Sequence, residues 1–251
     1  MNTKTEKSTA SVQITEAFLS LRNDEQAAHL MRFFKTAPGQ YGEGDKFLGI
    51  RVPVTRSLAK KFSNDVTLHD CDILLGSEWH EIRLVALLLM IKLAQKCAKA
   101  RDLEGLKQII GLYDRRLERV NNWDLVDLSV RDLMGIYWKC TKDDYEARRL
   151  FLSRWATSGH LWRERAAMVS VYPLLRMGSL DETFWLAEHF INHRHDLMHK
   201  AVGWMLREAG KVDRDALRQF LNSFCTQLPR PTLRYAIEHF SPDEREIYMK
   251  Q

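Results

Sequence analysis

The chain has 251 residues, a formal charge of +5, and a composition of 28% charged and 45% hydrophobic residues. This is the make-up of an ordinary folded protein and excludes collagenous, disulfide-stapled and wholly disordered classes, while the positive balance suits an acidic partner such as nucleic acid. The longest apolar stretch, LVALLLMIKLA from Leu84, is interrupted by Lys92, is too short to cross a bilayer and fits a buried helix, so no membrane partner is predicted.

Residues 1–11 are polar and predict a disordered tail ahead of one domain spanning 12–251. From Val12 to Thr36 the apolar spacing predicts one or two helices, broken at Asn23-Asp24. APGQYGEGDKF holds three of the twelve glycines and predicts a loop. Val52-Pro53 opens the next helix, with proline tolerated in the first turn. Helix then follows helix, with polar breaks near Asn64, Gly105, Thr141, Ser158, Gly178, Asn192, Lys211 and Pro229. Period-two alternation is almost absent.

Five segments resemble one another: SEWHEIRLVALLLM from Ser77, NNWDLVDLSVRDLM from Asn121, HLWRERAAMVSVY from His160, RHDLMHKAVGWMLRE from Arg194 and LPRPTLRYAIEHF from Leu228. Registered on one another, they place Arg83, Asp127, Arg165, Lys200 and Arg234 in one column, at separations falling from about 44 to about 34 residues, the period of a two-helix repeat. A small residue follows each: Ala86, Ser129, Ala166, Ala201 and Ala236. The predicted fold is therefore an all-α, curved α-solenoid of about six repeats whose concave groove is basic and carries a single carboxylate, Asp127. Trp123 lies one turn before Asp127, and Trp204 lies four residues after Lys200 on the face of the column. Arg207 lies two turns after Lys200 on the same helix, and Arg131 one turn after Asp127. Basic residues at such positions can contact phosphates. Spacing alone leaves a second reading open, in which the column forms ion pairs within a protein-binding scaffold and Arg131 is the i,i+4 partner of Asp127.

His69, His80, His160, His193, His195 and His199 lie at no metal-ligand spacing, and His193 and His195 read as surface or capping residues in a loop. The four cysteines form no CxxC and read as reduced, mostly buried thiols of a cytosolic, cytoplasmic protein. There is no phosphate-binding glycine loop and no GxSxG elbow, so neither metal nor cofactor is predicted.

Four stretches carry a family resemblance: FLGIRVP (Phe47 to Pro53), NNWDLVD (Asn121 to Asp127), LWRERAA (Leu161 to Ala167) and HKAVGWMLRE (His199 to Glu208). With these motifs the chain, from about residue 15 onwards, resembles the AlkD-type DNA alkylation repair glycosylases, which are built from HEAT-like repeats. The resemblance implies a catalytic set of Asp127, Trp123 and Trp204, with Arg165 in the DNA groove. It also implies removal of cationic N3- or N7-alkylated purines from duplex DNA, by a monomer without a cofactor. Arg83, Lys200, Arg207 and Arg234 are then the expected phosphate contacts. Arg51 joins them, standing where some relatives carry an uncharged polar residue. Related branches that lack part of the set are thought to bind branched DNA without excision, which keeps a DNA-structure binder and a scaffold as the alternatives.

Overall fold

The computed structural model describes residues 9–141 and 145–251. They are helical, with no strand among them beyond one isolated bridge between Lys46 and Trp79. Two compact units divide the chain, the first ending at Leu125 and the second running from Val126 to Gln251.

The first unit contains α1 (Ala10–Leu19), α2 (Asp24–Phe33), α3 (Val52–Phe62), α4 (Leu68–Leu75), α5 (His80–Ala100), α6 (Leu103–Arg115) and a short 3-10 turn at Leu117–Arg119. Its core is α5, where every residue from His80 to Ile91 is buried. Helices α1, α3, α4 and α6 pack on it, which satisfies a segment too apolar to face water. Helix α1 begins at Ala10, inside the segment expected to be a tail, while residues 1–8 lie outside the described residues. The reason is a specific tie: the buried Ser11 N–H donates to the Asp70 carboxylate, which also completes the Thr67 capping box of α4. The expected break at Gly105 lies earlier. Arg101 ends α5 in the left-handed region (φ 58°), and Asp102 caps α6 by accepting from the Gly105 N–H.

The glycine-rich segment is a loop, as the sequence predicts, and the chain immediately after it is pinned. Glu81 accepts from the N–H groups of Leu48, Gly49 and Ile50 at 2.8–3.0 Å. Gly49 has φ +83°, and a Cβ there would stand 2.1 Å from the Asn23 carbonyl oxygen. Only glycine permits that approach.

The division between units falls in the first turn of α7 (Trp123–Thr141). Then come α8 (Tyr145–Ala156), α9 (Leu161–Ser170), α10 (Tyr172–Arg176), α11 (Asp181–His189), α12 (Asp196–Val212), α13 (Arg214–Phe224), α14 (Arg230–Ala236) and α15 (Pro242–Lys250). Helix α12 is the hub of the second unit and packs against α9, α10, α11, α13 and α14. Gly203 makes its closest approach possible, since a Cβ there would lie 2.6 Å from the Thr232 carbonyl oxygen of α14. The small residues of the registered column, Ala86, Ser129, Ala166, Ala201 and Ala236, are all buried, so they mark the packing side of each helix. Among the described residues, no helix is long and apolar enough to cross a membrane.

Candidate functional site

Asp127 projects from α7 and Arg165 from α9. Nε of Arg165 donates to one carboxylate oxygen of Asp127 at 2.9 Å and Nη2 to the other at 2.7 Å. The third guanidinium nitrogen, Nη1, donates to the Leu197 carbonyl in the first turn of α12 at 2.5 Å. A planar fork meeting both oxygens of a carboxylate fixes its plane as well as its position. The side chain of Arg165 is 6% exposed and that of Asp127 17%, so the acid keeps an opening that its partner lacks. Spacing offered Arg131 as the partner of Asp127, whereas the carboxylate is gripped by Arg165 from another helix. Nε of Arg131 donates to the Asp127 main-chain carbonyl at 2.9 Å.

The Arg131 guanidinium also lies 5.2 Å from the centre of the Tyr172 ring and 5.5 Å from that of Trp204, with the two rings 6.1 Å apart. Trp204 is thus joined to the Asp127 neighbourhood through Arg131. Tyr172 is a member that sequence reasoning missed. It opens α10 at a break after α9 and falls outside the repeat register, and the adjacent Pro173 was its only local signal.

Trp123 belongs to the first unit. Its indole N–H donates to the Tyr41 hydroxyl at 3.2 Å, and its ring packs 5.5 Å from Phe34 on a cluster with Ala27 and Phe47. Half-buried, it retains an accessible part.

The basic column divides. Arg83 is 2% exposed, paired with Asp45 at 2.5 Å and bonded to the carbonyls of Ser77 and Glu78, so the expectation that it contacts phosphate is corrected. Its charge is consumed inside the fold, where exposing it would break a buried pair. Arg165 is likewise committed, and its expected phosphate contact gives way to the clamp on Asp127. Lys200 is half-exposed and pairs with Asp196 at 2.7 Å. Arg207 bonds Glu238 and lies 3.6 Å from Glu208. Arg51, at the N-cap of α3, and Arg234, on α14, are exposed.

A second polar centre, also missed, sits in the first unit. His80 is 2% exposed, with Nδ1 2.8 Å from Asp45 and Nε2 2.9 Å from Asp124. Both partners are acceptors, so both ring nitrogens carry protons. Burial opposes the charged form, but the two carboxylates override it and raise the pKa to about 9. The imidazolium stacks on Phe47 at 4.3 Å. Asp45 comes from the glycine-rich loop, whose course no periodicity encodes.

The comparisons with known proteins agree with this architecture. The profile of a family described as DNA alkylation repair enzyme matches residues 14–240. A solved structure described as a predicted DNA alkylation repair enzyme from Enterococcus faecalis superposes with a TM-score of 0.68 at 18% identity, covering 88% of this chain and 97% of that one. No curated protein matches the chain.

Proposed function

Because the chain belongs to the family of DNA alkylation repair enzymes, we propose that it is a DNA glycosylase that hydrolyses the N-glycosidic bond of cationic N3- or N7-alkylated purines in duplex DNA. The observation that carries this reading is the Asp127 carboxylate, fixed in both oxygens by Arg165 yet on a side chain left partly exposed, on a residue joined through Arg131 to the Trp204–Tyr172 ring pair.

An alkylated purine of this kind is already positively charged. Its C1′–N bond breaks with the electron pair passing to the base, which leaves neutral, and no acid need protonate it. The sugar is left as an oxocarbenium cation. Asp127 supplies the negative charge opposite that developing cation and accepts the proton of the water that attacks C1′. The products are the free base and an abasic site. Arg165 offsets part of the charge on Asp127, and its contribution is orientation rather than field strength. Trp204 and Tyr172 offer aromatic faces of the kind that attract cations, one of which, Arg131, already rests there. Trp123, in the first unit, is the remaining member of the catalytic set that the resemblance implies. Arg51, Arg234, Lys200 and Arg207 give sequence-independent affinity for the backbone.

One observation favours a second reading. Both oxygens of Asp127 are occupied by Arg165, which is also what a purely structural pair would do. The deciding measurement is single-turnover release of 7-methylguanine and 3-methyladenine from methylated duplex DNA by wild type and Asp127→Asn. The glycosylase reading expects a loss of about 10²–10³ in rate with DNA affinity retained. Equal rates, or no release by the wild type despite tight binding, would leave a DNA-structure binder.

A further inference from the structure

The turn between α11 and α12 is closed by histidine rings acting as acceptors. The His195 N–H donates to Nδ1 of His193 at 3.0 Å, and the Leu197 N–H donates to Nδ1 of His195 at 3.1 Å. Both Nδ1 atoms must therefore be unprotonated. Each ring proton then sits on Nε2, and for His193 that proton is donated to Glu164 of α9 at 2.9 Å. His199 Nε2–H donates to the His193 carbonyl, drawing the turn onto α12. His195 is the N-cap of α12, a position usually held by Asp, Asn, Ser or Thr because their oxygens always accept. An imidazole does the same work only while neutral. Once protonated it loses the acceptor and places positive charge at the positive end of the helix dipole.

The capped residue is also the one that holds Arg165. Leu197 gives its N–H to His195 and its carbonyl to Nη1 of Arg165, whose other nitrogens grip Asp127. We infer that His195 is a positioning residue whose neutral ring sets the Leu197 peptide, and through it the Arg165–Asp127 clamp, so that acid releases the clamp. This inference rests on the reading of Asp127 given above only for its consequence in catalysis; the linkage itself is independent of it.

The charged and titratable groups around the ring are Arg165 from α9, His193 from the turn, and Asp196 and His199 from α12, with Glu164 of α9 engaged by His193, while α14 presents the uncharged Thr232, whose hydroxyl donates to the His199 carbonyl. Burial, followed by the repulsion that His193 exerts once it is itself protonated, lowers the His195 pKa below 6.5; Asp196 opposes this without reversing it. The neutral ring that the cap requires is thus the form that persists at neutral pH.

The test follows the ¹⁵N resonances of His195 and of Arg165 Nε from pH 8 to pH 5 in the full chain, for wild type and His195→Asn. Asparagine keeps an oxygen acceptor in place of Nδ1 and does not titrate. The expected result is that the wild-type Arg165 signal shifts together with the His195 ring, and that this shift disappears in the variant. Purine release by the wild type should fall about tenfold per pH unit below the His195 midpoint, a limb the variant lacks. An Arg165 signal that stays flat while His195 titrates, an equal shift in both proteins, or a proton on His195 Nδ1 at pH 8 would overturn the inference. If the variant does not fold, the wild-type co-titration decides alone. Co-titration without any purine release would support this linkage and count against the glycosylase reading.

Discussion

Arg83 and Arg165 occupy equivalent positions of the repeat register, and each grips an aspartate 38 residues earlier in the chain. Their surroundings differ. In the first unit the Arg83–Asp45 pair is sealed, at 2% and 0% exposure, and His80 adds a third charge from behind. In the second unit the Arg165–Asp127 pair stands ajar, at 6% and 17% exposure, with the larger share on the Asp127 side chain. A sealed pair is spent on holding a loop to a helix. An open one leaves a fixed negative charge within reach of a ligand. The same column position therefore serves structure in one unit and presents a candidate reactive group in the other.

The largest expected effect tests the sealed pair. Asp45→Ala leaves Arg83 buried without a counter-charge and the His80 imidazolium with Asp124 alone, and should cost about 3–5 kcal/mol. Asp127→Ala, at the open pair, should cost less, about 1–3 kcal/mol. Urea denaturation of both variants measures the difference, and equal losses would erase the distinction between the pairs.

pH should separate the units in opposite directions. The folded-state pKa of His80 is raised to about 9, so its stabilisation is complete below the unfolded value near 6.5 and is lost as pH rises through about 9. The effect is on the order of a few kcal/mol. His195 is lowered, so its contribution is complete above about 6.5 and is lost as pH falls through its folded-state value. Hydrogen exchange resolved by residue between pH 5 and pH 10 should show the first unit loosening in alkali and the second in acid. Both units loosening at the same end would contradict the assigned protonation states.

The fork of Arg165 gives a sharper contrast. Arg165→Lys keeps the charge but cannot meet both carboxylate oxygens and the Leu197 carbonyl together. Purine release should fall by about 10- to 100-fold, as expected when a reacting group loses its orientation. Arg83→Lys should change the melting temperature and leave release by the folded fraction near wild type. Matched losses of release in the two variants would show that the register, not the opening, matters.

The helices, the Asn23 break, the glycine-rich loop and the place of Asp127 and Arg165 in one column are legible in the sequence because apolar period and repeat register are properties of a line of residues. The fate of Arg83 is not, because its partner Asp45 lies in a loop whose path is set by Glu81 and Gly49. Spacing likewise pointed to Arg131 for Asp127, since it sees neighbours on one helix and not the α9 residue that faces it. Arg101 ended α5 without a glycine to announce it. The histidine cap of α12 was readable only as a capping position, because its acceptor role depends on which nitrogen holds the proton.

The smallest expected effect concerns the exposed end of the column. Arg234 makes no ion pair among the described residues and is exposed on α14, unlike Arg83, whose charge is consumed internally, and Lys200, which shares its charge with Asp196. If Arg234 meets one phosphate, Arg234→Ala should reduce the slope of log affinity against log salt by about one unit. Affinity should fall equally for alkylated and unmodified duplexes, because a phosphate contact carries no information about the base. Melting should stay within about 0.5 kcal/mol of wild type, as for an exposed residue without partners. Lys200→Ala should lower the slope by less, since Asp196 already offsets part of its charge. Fluorescence anisotropy across a salt series measures both. A slope unchanged by Arg234→Ala would place the last registered helix outside the DNA contact and confine binding to the cations nearer Asp127.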